Sequence, residues 1–427
     1  MTSLSPGAYA PRAAPAASLR VGLLGCGLIG SAVAALAHAR PGALGRPIAI
    51  AAALVRRPAN RSTPAGVPLT GDADAVFEAR PDVIVEVLGG LEPARSLVLR
   101  AFERGIPVVT ANKTLLAHHG DELLDAAAAA GVRLCYEASV IAGVPFLSTL
   151  ARRPLASSIA SFTAIVNGTT NFILSQIAGG GVGYDLALAE AQHRGLAEPD
   201  PSKDVDGIDA LEKLVVLVRQ LSSLSIAASA VDTAGITRLG ANDLAHAAEL
   251  GGTIKPVVYA AWSDDRVRAF AGPAFVAGDH ALARVSGSAN GIHVRDTSGS
   301  ELFFSGPGAG PGPTSVTILD DVLDAVSGAP PAPVARRNGR VEPPDTAWLV
   351  RLSSARALPS GPELADLFGT YGVWASRTSA RDTRDGGESV RLLTYPAARA
   401  RLDTAIHAVT SATGCEVHAL PAIGPRA

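Results

Sequence analysis

A glycine-rich turn between a short apolar run and a helical pattern restricts the fold of this chain more than any other feature. Residues 20–24 (RVGLL) form the apolar run, and Gly25–Gly30 (GCGLIG) follows it directly. Glycines at this spacing permit a tight turn and let a pyrophosphate approach the backbone at the start of a helix. Because the motif has the strand–turn–helix context that it needs, we favour a dinucleotide site over a plain turn. The predicted contacts are Gly25, Gly27, Leu28, Ile29 and Gly30.

Apolar runs continue to alternate with helical patterns up to about residue 145. The strands predicted after the first are 48–55, 83–88, 107–110 and 132–136, and the helices are 94–104 and 120–130. Strands that alternate with helices indicate a parallel sheet covered on both faces. We therefore predict an α/β fold with a Rossmann-type, doubly wound parallel sheet over residues 20–145.

The rest of the chain has a different organisation. Longer helical patterns and strand-like runs over residues 146–305 indicate a second domain, of the α+β class. Residues 327–345 are rich in Pro, Ala and Arg without periodicity, which predicts a linker. Residues 346–427 follow the βαββαβ order of a ferredoxin-like unit. Residues 1–19 are rich in Ala, Pro and Ser and predict a disordered leader rather than a secretory signal.

Charge and cysteine content argue against several classes of function. Lys and Arg number 37 and Asp and Glu 39, so there is no basic surplus that would suggest nucleic-acid binding. No apolar run reaches the length of a membrane span. Cys26, Cys135 and Cys415 are far apart and odd in number, which fits free thiols in a reducing compartment. We expect a cytoplasmic protein that binds neither nucleic acid nor membranes.

An acidic segment, Gly195–Lys213 (GLAEPDPSKDVDGIDALEK), carries six carboxylates and two lysines. It begins as a loop because its prolines forbid a regular helix, and apolar residues at helical spacing then predict a helix over 209–221. Asp209 and Lys213 are four residues apart and share a face of that helix. Taken alone, the segment is better interpreted as a solvated loop with one surface ion pair. The alternative is a proton-transfer pair beside further acids.

Other polar groups follow predicted strands. Arg56 and Arg57 follow the second strand, where arginine suits a 2′-phosphate and an acid would favour NAD. Solvated loop arginines are an equal alternative. Lys113 lies past the carboxyl end of a strand, at the edge where such sheets bind ligands, although a lone lysine there is more often solvent-exposed. Asn167 begins a helix, and capping is its default role.

Together these segments resemble homoserine dehydrogenase, in that family's order and spacing. The segments that carry the resemblance are VGLLGCGLIG (21–30), VTANK (109–113), EASVIAGVP (137–145), NGTTNFIL (167–174), GLAEPDPSKDVDGIDALEK (195–213) and GPGAG (306–310). The fourth and fifth of these are the specific ones. The C-terminal unit is similar to an ACT domain, which in this family can sense threonine.

The resemblance implies a reversible, NAD(P)-dependent reduction of L-aspartate 4-semialdehyde to L-homoserine in threonine, methionine and isoleucine biosynthesis. It implies that residues 306–326 complete the cofactor domain, and that residues 146–305 bind the substrate and form the interface of a homodimer or homotetramer. NADP is the expected cofactor because of Arg56, and NAD is the alternative.

The resemblance also implies site residues by their positions. Lys213 is expected to transfer the proton, with Asp209 orienting it and Lys113 near both substrate and cofactor. The implied substrate contacts are Lys113, Glu198, Asp204 and Lys213. The implied cofactor contacts besides the glycine turn are Arg56, Lys113 and Gly310. A monovalent cation such as sodium is implied, largely through backbone oxygens, at Glu137, Val140, Ala142 and Val144.

Some positions depart from the family pattern. Ile141 stands where a glycine is expected, which places a β-branched side chain where an unusual φ is expected. Arg56-Arg57 replaces the usual Arg-Asp, which leaves NAD or NADP preference open. The first loop of the ACT-like unit, residues 353–360, lacks the Asp-Arg-Pro-Gly sequence of amino-acid-binding ACT domains. A packing or dimerisation role is therefore as well supported as threonine sensing.

Two alternative functions stay open. One is a paralogous reductase of a related amino-aldehyde, which altered residues around Ile141 and in 169–171 would mark. The other is a catalytically silent, ligand-sensing homologue. Intact Lys113, Asp209 and Lys213, together with Glu198, argue against a silent protein, since it has no chemical need for all four.

Overall fold

The computed structural model describes residues 18–39, 46–58, 66–151, 158–308, 310–327, 336–379, 382–383 and 387–424. In chain order the strands are β1 (Leu19–Leu24), β2 (Ile48–Leu54), β3 (Leu69–Thr70), β4 (Val83–Glu86), β5 (Val108–Thr110), β6 (Leu134–Cys135), β7 (Ile159–Ile165), β8 (Leu224–Ser225), β9 (Asp232–Thr233), β10 (Gly252–Ser263), β11 (Arg266–Ala277), β12 (Ala289–Asp296), β13 (Glu301–Pro307), β14 (Arg337–Asn338), β15 (Arg340–Glu342), β16 (Ala347–Ser354), β17 (Ala375–Thr378), β18 (Glu388–Thr394) and β19 (Glu416–Ile423). The α-helices are α1 (Leu28–Ala39), α2 (Ala73–Glu78), α3 (Ala94–Glu103), α4 (Lys113–Ala129), α5 (Leu147–Ala151), α6 (Gly168–Gly180), α7 (Tyr184–His193), α8 (Ser202–Val205), α9 (Ile208–Ser222), α10 (Ala241–Glu249), α11 (Pro311–Ser327), α12 (Gly361–Gly369) and α13 (Arg399–Thr413).

The chain divides into two compact units, and the first contains the described residues of 1–112, 123–136 and 318–331. Its six strands form one parallel sheet in the order β3-β2-β1-β4-β5-β6. All of β4 and nearly all of β1 are buried, as expected of a sheet covered on both faces. The strand order reverses beside β1, so the carboxyl ends of β1 and β4 border the crevice where such sheets bind ligands. The predicted doubly wound parallel sheet is confirmed.

Three elements of this unit differ from the sequence prediction, and one of them is the six-residue helix α2, which was not predicted. β3 was not predicted, because two residues are too few to show a periodic pattern. The helix predicted over 120–130 begins earlier, at Lys113, since His118, His119 and Gly120 interrupt its apolar pattern without ending it. Lys113 is therefore the first residue of a helix.

The second unit contains the described residues of 113–122, 137–317 and 332–427. Eleven strands form one mixed sheet, with the main order β13-β12-β7-β10-β11-β19-β16-β18-β17 and with β9 and β15 also paired to β11. A parallel pairing of Phe275 with Ala422 joins the C-terminal strands to the rest. One buried apolar cluster contains both Ile254 of β10 and Leu349 of β16 in the C-terminal segment. The sheet and its core therefore run without interruption into the C-terminal segment.

The C-terminal segment has the predicted βαββαβ order, from β16 to β19. Trp348, Val350 and Phe368 belong to a separate apolar core of this segment. β14 and β15 pair with β8 and β11, so the second half of the predicted linker is tied to neighbouring strands. Residues 328–335 of that linker and residues 1–17 of the predicted leader lie outside the described residues. The likeness to an ACT domain stays a prediction.

Membrane-spanning helices are not found in the described part of the chain, where every helix is too short or too polar to cross a bilayer.

Lys255 in β10 is a buried cation, and it gives the stability of the protein a pH dependence. Its Nζ donates a hydrogen bond to the Val285 carbonyl at 2.7 Å, and no carboxylate pairs with it among the described residues. Burial lowers the pKa of Lys255 to about 8. The unfolded chain therefore binds this proton more tightly, and the stability lost by burying the charge is regained as the pH rises above 8.

We expect wild type to gain up to about 3 kcal/mol of unfolding free energy relative to Lys255→Met as the pH rises from 7.5 to about 10.5. Urea unfolding of both proteins across this range measures the difference. A difference that does not change with pH would contradict the titration of Lys255.

Candidate active site

Asp209 lies at the centre of a buried group of charges. It stands in the first turn of α9 and is 6% exposed. One carboxylate oxygen, Oδ1, is 3.1 Å from Nζ of Lys113, and the other, Oδ2, is 3.0 Å from Nζ of Lys213. One carboxylate therefore pairs with two ammonium groups, one at the start of α4 and one a turn further along α9. The four-residue spacing predicts the pairing with Lys213, and the structure adds Lys113.

The start of α9 explains why Asp209 faces inward. Gly207 precedes the helix with a φ of 84°, a left-handed conformation that glycine adopts without strain. A helix begins directly after it, and an acid in the first turn is favoured by the helix dipole. Buried residues such as Leu214 and Val215 follow on the inner side of the helix. Asp209 and Lys213 are thereby held on a buried face rather than on the solvated surface that the isolated segment suggests.

Asn167 connects two acids of the site to the start of α6. Its Oδ1 accepts the Thr170 N–H at 2.8 Å, so the predicted capping role is confirmed. Its Nδ2 also donates to Asp204 and to Asp209, each at 2.7 Å. This second role was not predicted. The available signal was chemical, since a capping asparagine uses only its oxygen and leaves two amide hydrogens free to donate.

The charges of the group stabilise one another. Burial opposes the charge of Asp209, but Lys213 and Lys113 outweigh it and lower the pKa of Asp209 to about 2. Burial also opposes the charge of Lys113, whereas Asp209 and Glu212 raise its pKa above the usual value. Burial raises the pKa of Asp204, against the hydrogen bond from Asn167. Asp209 is therefore ionised throughout the neutral range, with a protonated Lys113 beside it.

Lys213 has a second fixed contact. Its Nζ donates to the Val166 carbonyl at 2.7 Å, and the residue is 8% exposed. Val166 immediately precedes Asn167, so the ammonium is held between the end of β7 and Asp209. A lysine fixed on two sides points its remaining hydrogen in one direction, which suits directed proton transfer.

Glu198, a predicted substrate contact, does not contact this group of charges in the described structure. Its side chain is exposed and forms no hydrogen bond or ion pair within the described ranges. Only its backbone carbonyl is engaged, by Gln192. Gly310, the predicted contact on the nicotinamide side, has a φ of 136° directly before α11. The roles of both residues stay predictions.

The loop of residues 137–145 contains a buried carboxylate, that of Glu137. Glu137 is 7% exposed, its Oε1 accepts the Leu147 N–H at 2.9 Å, and burial raises its pKa. No lysine, arginine or histidine pairs with it in the described part of the chain. Val140, Ala142 and Val144 of the same loop are also buried. One carboxylate and several backbone carbonyls form a donor set that suits a hard cation.

The unusual φ that the sequence analysis expects at Ile141 is not found, and that expectation is wrong. Ile141 is not among the non-glycine residues with positive φ, whereas Gly143 in the same loop has a φ of 81°. Ile141 is completely buried. The loop therefore turns at Gly143 and uses Ile141 as a core side chain, so the β-branched residue does not strain it.

A cavity of about 540 Å³ lies at the carboxyl ends of β1 and β4 in the first unit. Gly27 lines it and faces open space, since an added Cβ would meet no atom within 4 Å. α1 begins beside it at the exposed Leu28. An open glycine at the N-terminus of a helix fits a pyrophosphate. Arg56 and Arg57, which follow β2, are exposed and line the same cavity.

Gly25 and Gly30 shape this turn from within. Gly25 has a φ of 102°, and a Cβ added to Gly30 would clash with the Gly25 carbonyl oxygen. Ile29 lies between them in the chain and is half-buried. The first and last glycines of the motif are therefore required by the protein's own packing, and Gly27 is the one that leaves room for a ligand.

Glu86 is a buried acid at the end of β4 that the sequence analysis does not single out. It accepts hydrogen bonds from Thr110 Oγ1 at 2.6 Å and from the Leu88 N–H at 2.8 Å. Asn112 Nδ2 donates to the Gly90 carbonyl at 2.7 Å. Burial raises the pKa of Glu86. These contacts order the residues just before α4, and the signal in the sequence was an acid inside the apolar run VIVEVL.

Comparisons with known proteins all match this chain to one family. A family model described as homoserine dehydrogenase matches residues 145–323, and one described as the NAD-binding domain of homoserine dehydrogenase matches residues 25–137. The homoserine dehydrogenase of Corynebacterium glutamicum is 33% identical over 431 residues, covering 95% of each chain. That of Synechocystis is 37% identical over 320 residues, covering 72% of this chain and 73% of its own length. The crystal structure of a homoserine dehydrogenase from Thiobacillus denitrificans has a TM-score of 0.86 and 30% identity, covering 95% of this chain and 98% of that one.

Proposed function

Because the chain belongs to the homoserine dehydrogenase family, we propose that Lys213, Asp209 and Lys113 carry the proton transfer in the reversible reduction of L-aspartate 4-semialdehyde to L-homoserine. The observation that supports this most directly is the buried carboxylate of Asp209 between two ammonium groups, 3.1 Å from Lys113 and 3.0 Å from Lys213. A bound nicotinamide cofactor supplies or accepts the hydride. The protein's part is to hold the substrate and to move one proton.

Proton transfer is needed at the oxygen of the substrate. Reduction turns the aldehyde oxygen into an alkoxide, whose charge must be met by a proton as it develops. Lys213 donates this proton, and Asp209 orients its ammonium. Lys113, whose pKa its acidic neighbours raise, stays charged and stabilises the same oxygen electrostatically. In the oxidative direction Lys213 accepts the hydroxyl proton.

Negative groups beside the proton-transfer residues suit the ammonium end of the substrate. Asp204 is joined to Asp209 through the amide of Asn167, so it borders the same site. Glu198 lies nearby in the chain on an exposed loop and is free to turn towards a ligand. Carboxylates form strong, charge-assisted hydrogen bonds with ammonium groups. We assign Asp204 and Glu198 to substrate binding on these grounds.

NADP is the cofactor that the first unit favours. Arg56 and Arg57 border the cavity beside the glycine turn, where NAD-specific proteins carry an acid for the ribose hydroxyls. Two exposed guanidinium groups instead suit a 2′-phosphate.

A monovalent cation such as sodium fits the loop of Glu137, whose buried carboxylate has no cationic side chain beside it among the described residues. Its remaining ligands would be backbone oxygens of Val140, Ala142 and Val144.

Oxidation of L-homoserine by the purified protein tests the proposal. The appearance of NADPH and of NADH is followed separately by absorbance, and we expect turnover with both and a higher kcat/KM with NADP. Turnover of other amino alcohols but not of homoserine would favour a paralogous reductase. Absence of turnover with any of them would favour a silent ligand-sensing homologue. A higher kcat/KM with NAD would reject the role of Arg56.

The C-terminal segment is proposed to act as an ACT-like regulatory domain. A cavity of about 500 Å³ at the ends of β16, β18 and β19 is lined by Arg351, Arg391, Glu388 and Glu416. Guanidinium and carboxylate groups together can bind the two charged ends of a free amino acid.

The protein is further proposed to be a cytoplasmic homodimer or homotetramer that serves threonine, methionine and isoleucine biosynthesis.

Threonine is expected to lower the rate of homoserine oxidation. Binding in the C-terminal cavity would act through the continuous sheet that joins this segment to the rest of the second unit. Initial rates at rising L-threonine concentrations measure the effect, with L-valine as a control of nearly the same shape that lacks the hydroxyl group. An unchanged rate at saturating threonine rejects feedback through this segment.

A further inference from the structure

α4 and α9 are joined by polar contacts that begin at the proposed active site. The first is the ion pair of Lys113 with Asp209. In the next, Thr114 Oγ1 donates to Glu212 Oε2 at 2.9 Å. Thr114 follows Lys113 directly, and Glu212 lies one helical turn after Asp209. From the first contact to the second, both helices advance towards their C-termini. Neither contact fixes the later turns of the two helices.

Arg219 provides that further attachment. Its Nη1 donates to the Leu116 carbonyl at 2.8 Å, and its Nε donates to Asp121 Oδ1 at 2.8 Å. Arg219 is 8% exposed, although it carries a full charge. The guanidinium is planar and rigid, so two hydrogen bonds from one group fix both the distance and the rotation of the helix that accepts them.

Gly120 shows how closely the two helices approach at this contact. A Cβ added to Gly120 would lie 2.5 Å from Nη1 of Arg219 and 2.9 Å from its Cζ. Any side chain at this position would push the guanidinium away from the Leu116 carbonyl. Because Gly120 has no side chain, α4 leaves room for the Arg219 guanidinium.

The position of α4 along α9 matters because Lys113 is its first residue. Each helical residue advances 1.5 Å and turns by 100°. A shift of α4 by one residue would therefore carry the Lys113 ammonium out of contact with Asp209. Leu116 lies three residues after Lys113, about one helical turn away. A hydrogen bond to its carbonyl therefore resists a shift of α4 close to Lys113.

We propose that Arg219 is a positioning residue for Lys113, acting through the backbone of α4. This inference rests on the proposed role of Lys113 in catalysis. Arg219 itself touches neither substrate nor cofactor. It fixes the register of α4 against α9, so that the Lys113 ammonium meets Asp209.

The test is a double-mutant cycle between Arg219→Met and Lys113→Met, read as kcat/KM for homoserine oxidation. We expect Arg219→Met alone to lower kcat/KM about 10- to 100-fold, mainly through kcat, because displacements of about 1 Å at catalytic groups cost that much. In the Lys113→Met background, measured at high enzyme concentration, it should cost less than about twofold. Cofactor affinity, measured by fluorescence titration, should change much less than kcat.

Arg336→Met is the matched control. Arg336 also approaches Asp121, with its Nε 3.5 Å from Oδ1, but it does not hold Leu116. Its kcat/KM should stay within about twofold of wild type. Gly120→Ala should lower kcat/KM as much as Arg219→Met does. If Arg219→Met fails to fold, the kcat/KM of Gly120→Ala tests the positioning role of Arg219.

Two results would overturn the inference about Arg219. One is a normal kcat/KM in both Arg219→Met and Gly120→Ala. The other is an equal loss from Arg219→Met with and without Lys113, which would show a merely structural role. A normal kcat/KM in Lys113→Met would instead reject the proposed function of Lys113, so the two failures are distinguishable.

Discussion

Replacing Lys213 with alanine is expected to remove nearly all turnover while leaving the cofactor bound with nearly wild-type affinity. The ammonium of Lys213 is fixed by the Val166 carbonyl at 2.7 Å and by Asp209 at 3.0 Å, and alanine has no group that could donate a proton from that place. Loss of a general acid costs about 10²- to 10⁴-fold in rate. The expected change is therefore a fall of that size in kcat for homoserine oxidation.

The measurement pairs steady-state kinetics with cofactor titration by fluorescence. Lys203→Ala is the matched control, because Lys203 belongs to the same acidic segment but is exposed to solvent. It should retain wild-type kcat and KM. Normal turnover in Lys213→Ala would reject its assignment as the acid, and loss of cofactor binding would point to misfolding instead.

Features set by neighbouring residues were predictable from the sequence. The helical spacing of apolar residues identified α9, and the four-residue separation put Asp209 and Lys213 on one face. The glycine turn was recognised in the same way, since a strand, three glycines and a helix follow one another along the chain. These predictions succeed because backbone geometry over a few residues determines them.

Contacts between distant parts of the chain were not predictable by such reasoning. Thr114 and Glu212 are 98 positions apart, and so are Asp121 and Arg219. No periodic pattern states which face of α4 meets which face of α9. Asn167 was recognised as a cap, but its bond to Asp209 depends on the arrangement of β7 and α9 in space. The resemblance to a family supplied residue roles, whereas the structure supplied the connections among them.

The most informative variants of the cofactor turn are two single glycine-to-alanine changes with different expectations for stability. In Gly30→Ala the new methyl group would meet the Gly25 carbonyl oxygen, and the β1–α1 turn would have to open. Overpacking of this kind costs about 1–3 kcal/mol. We expect Gly30→Ala to lower the free energy of unfolding of the free protein by that amount and to weaken cofactor binding at least about tenfold.

In Gly27→Ala the methyl group would point into open space, since no atom lies within 4 Å of the added Cβ. The free protein should keep its stability to within about 0.5 kcal/mol. Cofactor affinity should nevertheless fall at least about tenfold, because the methyl group occupies the place where a pyrophosphate meets the start of α1. Urea unfolding without cofactor and fluorescence titration with NADPH separate the two quantities. Unchanged NADPH affinity in Gly27→Ala would place the pyrophosphate elsewhere, whereas a loss of affinity without a loss of stability ties Gly27 to the ligand and Gly30 to the fold.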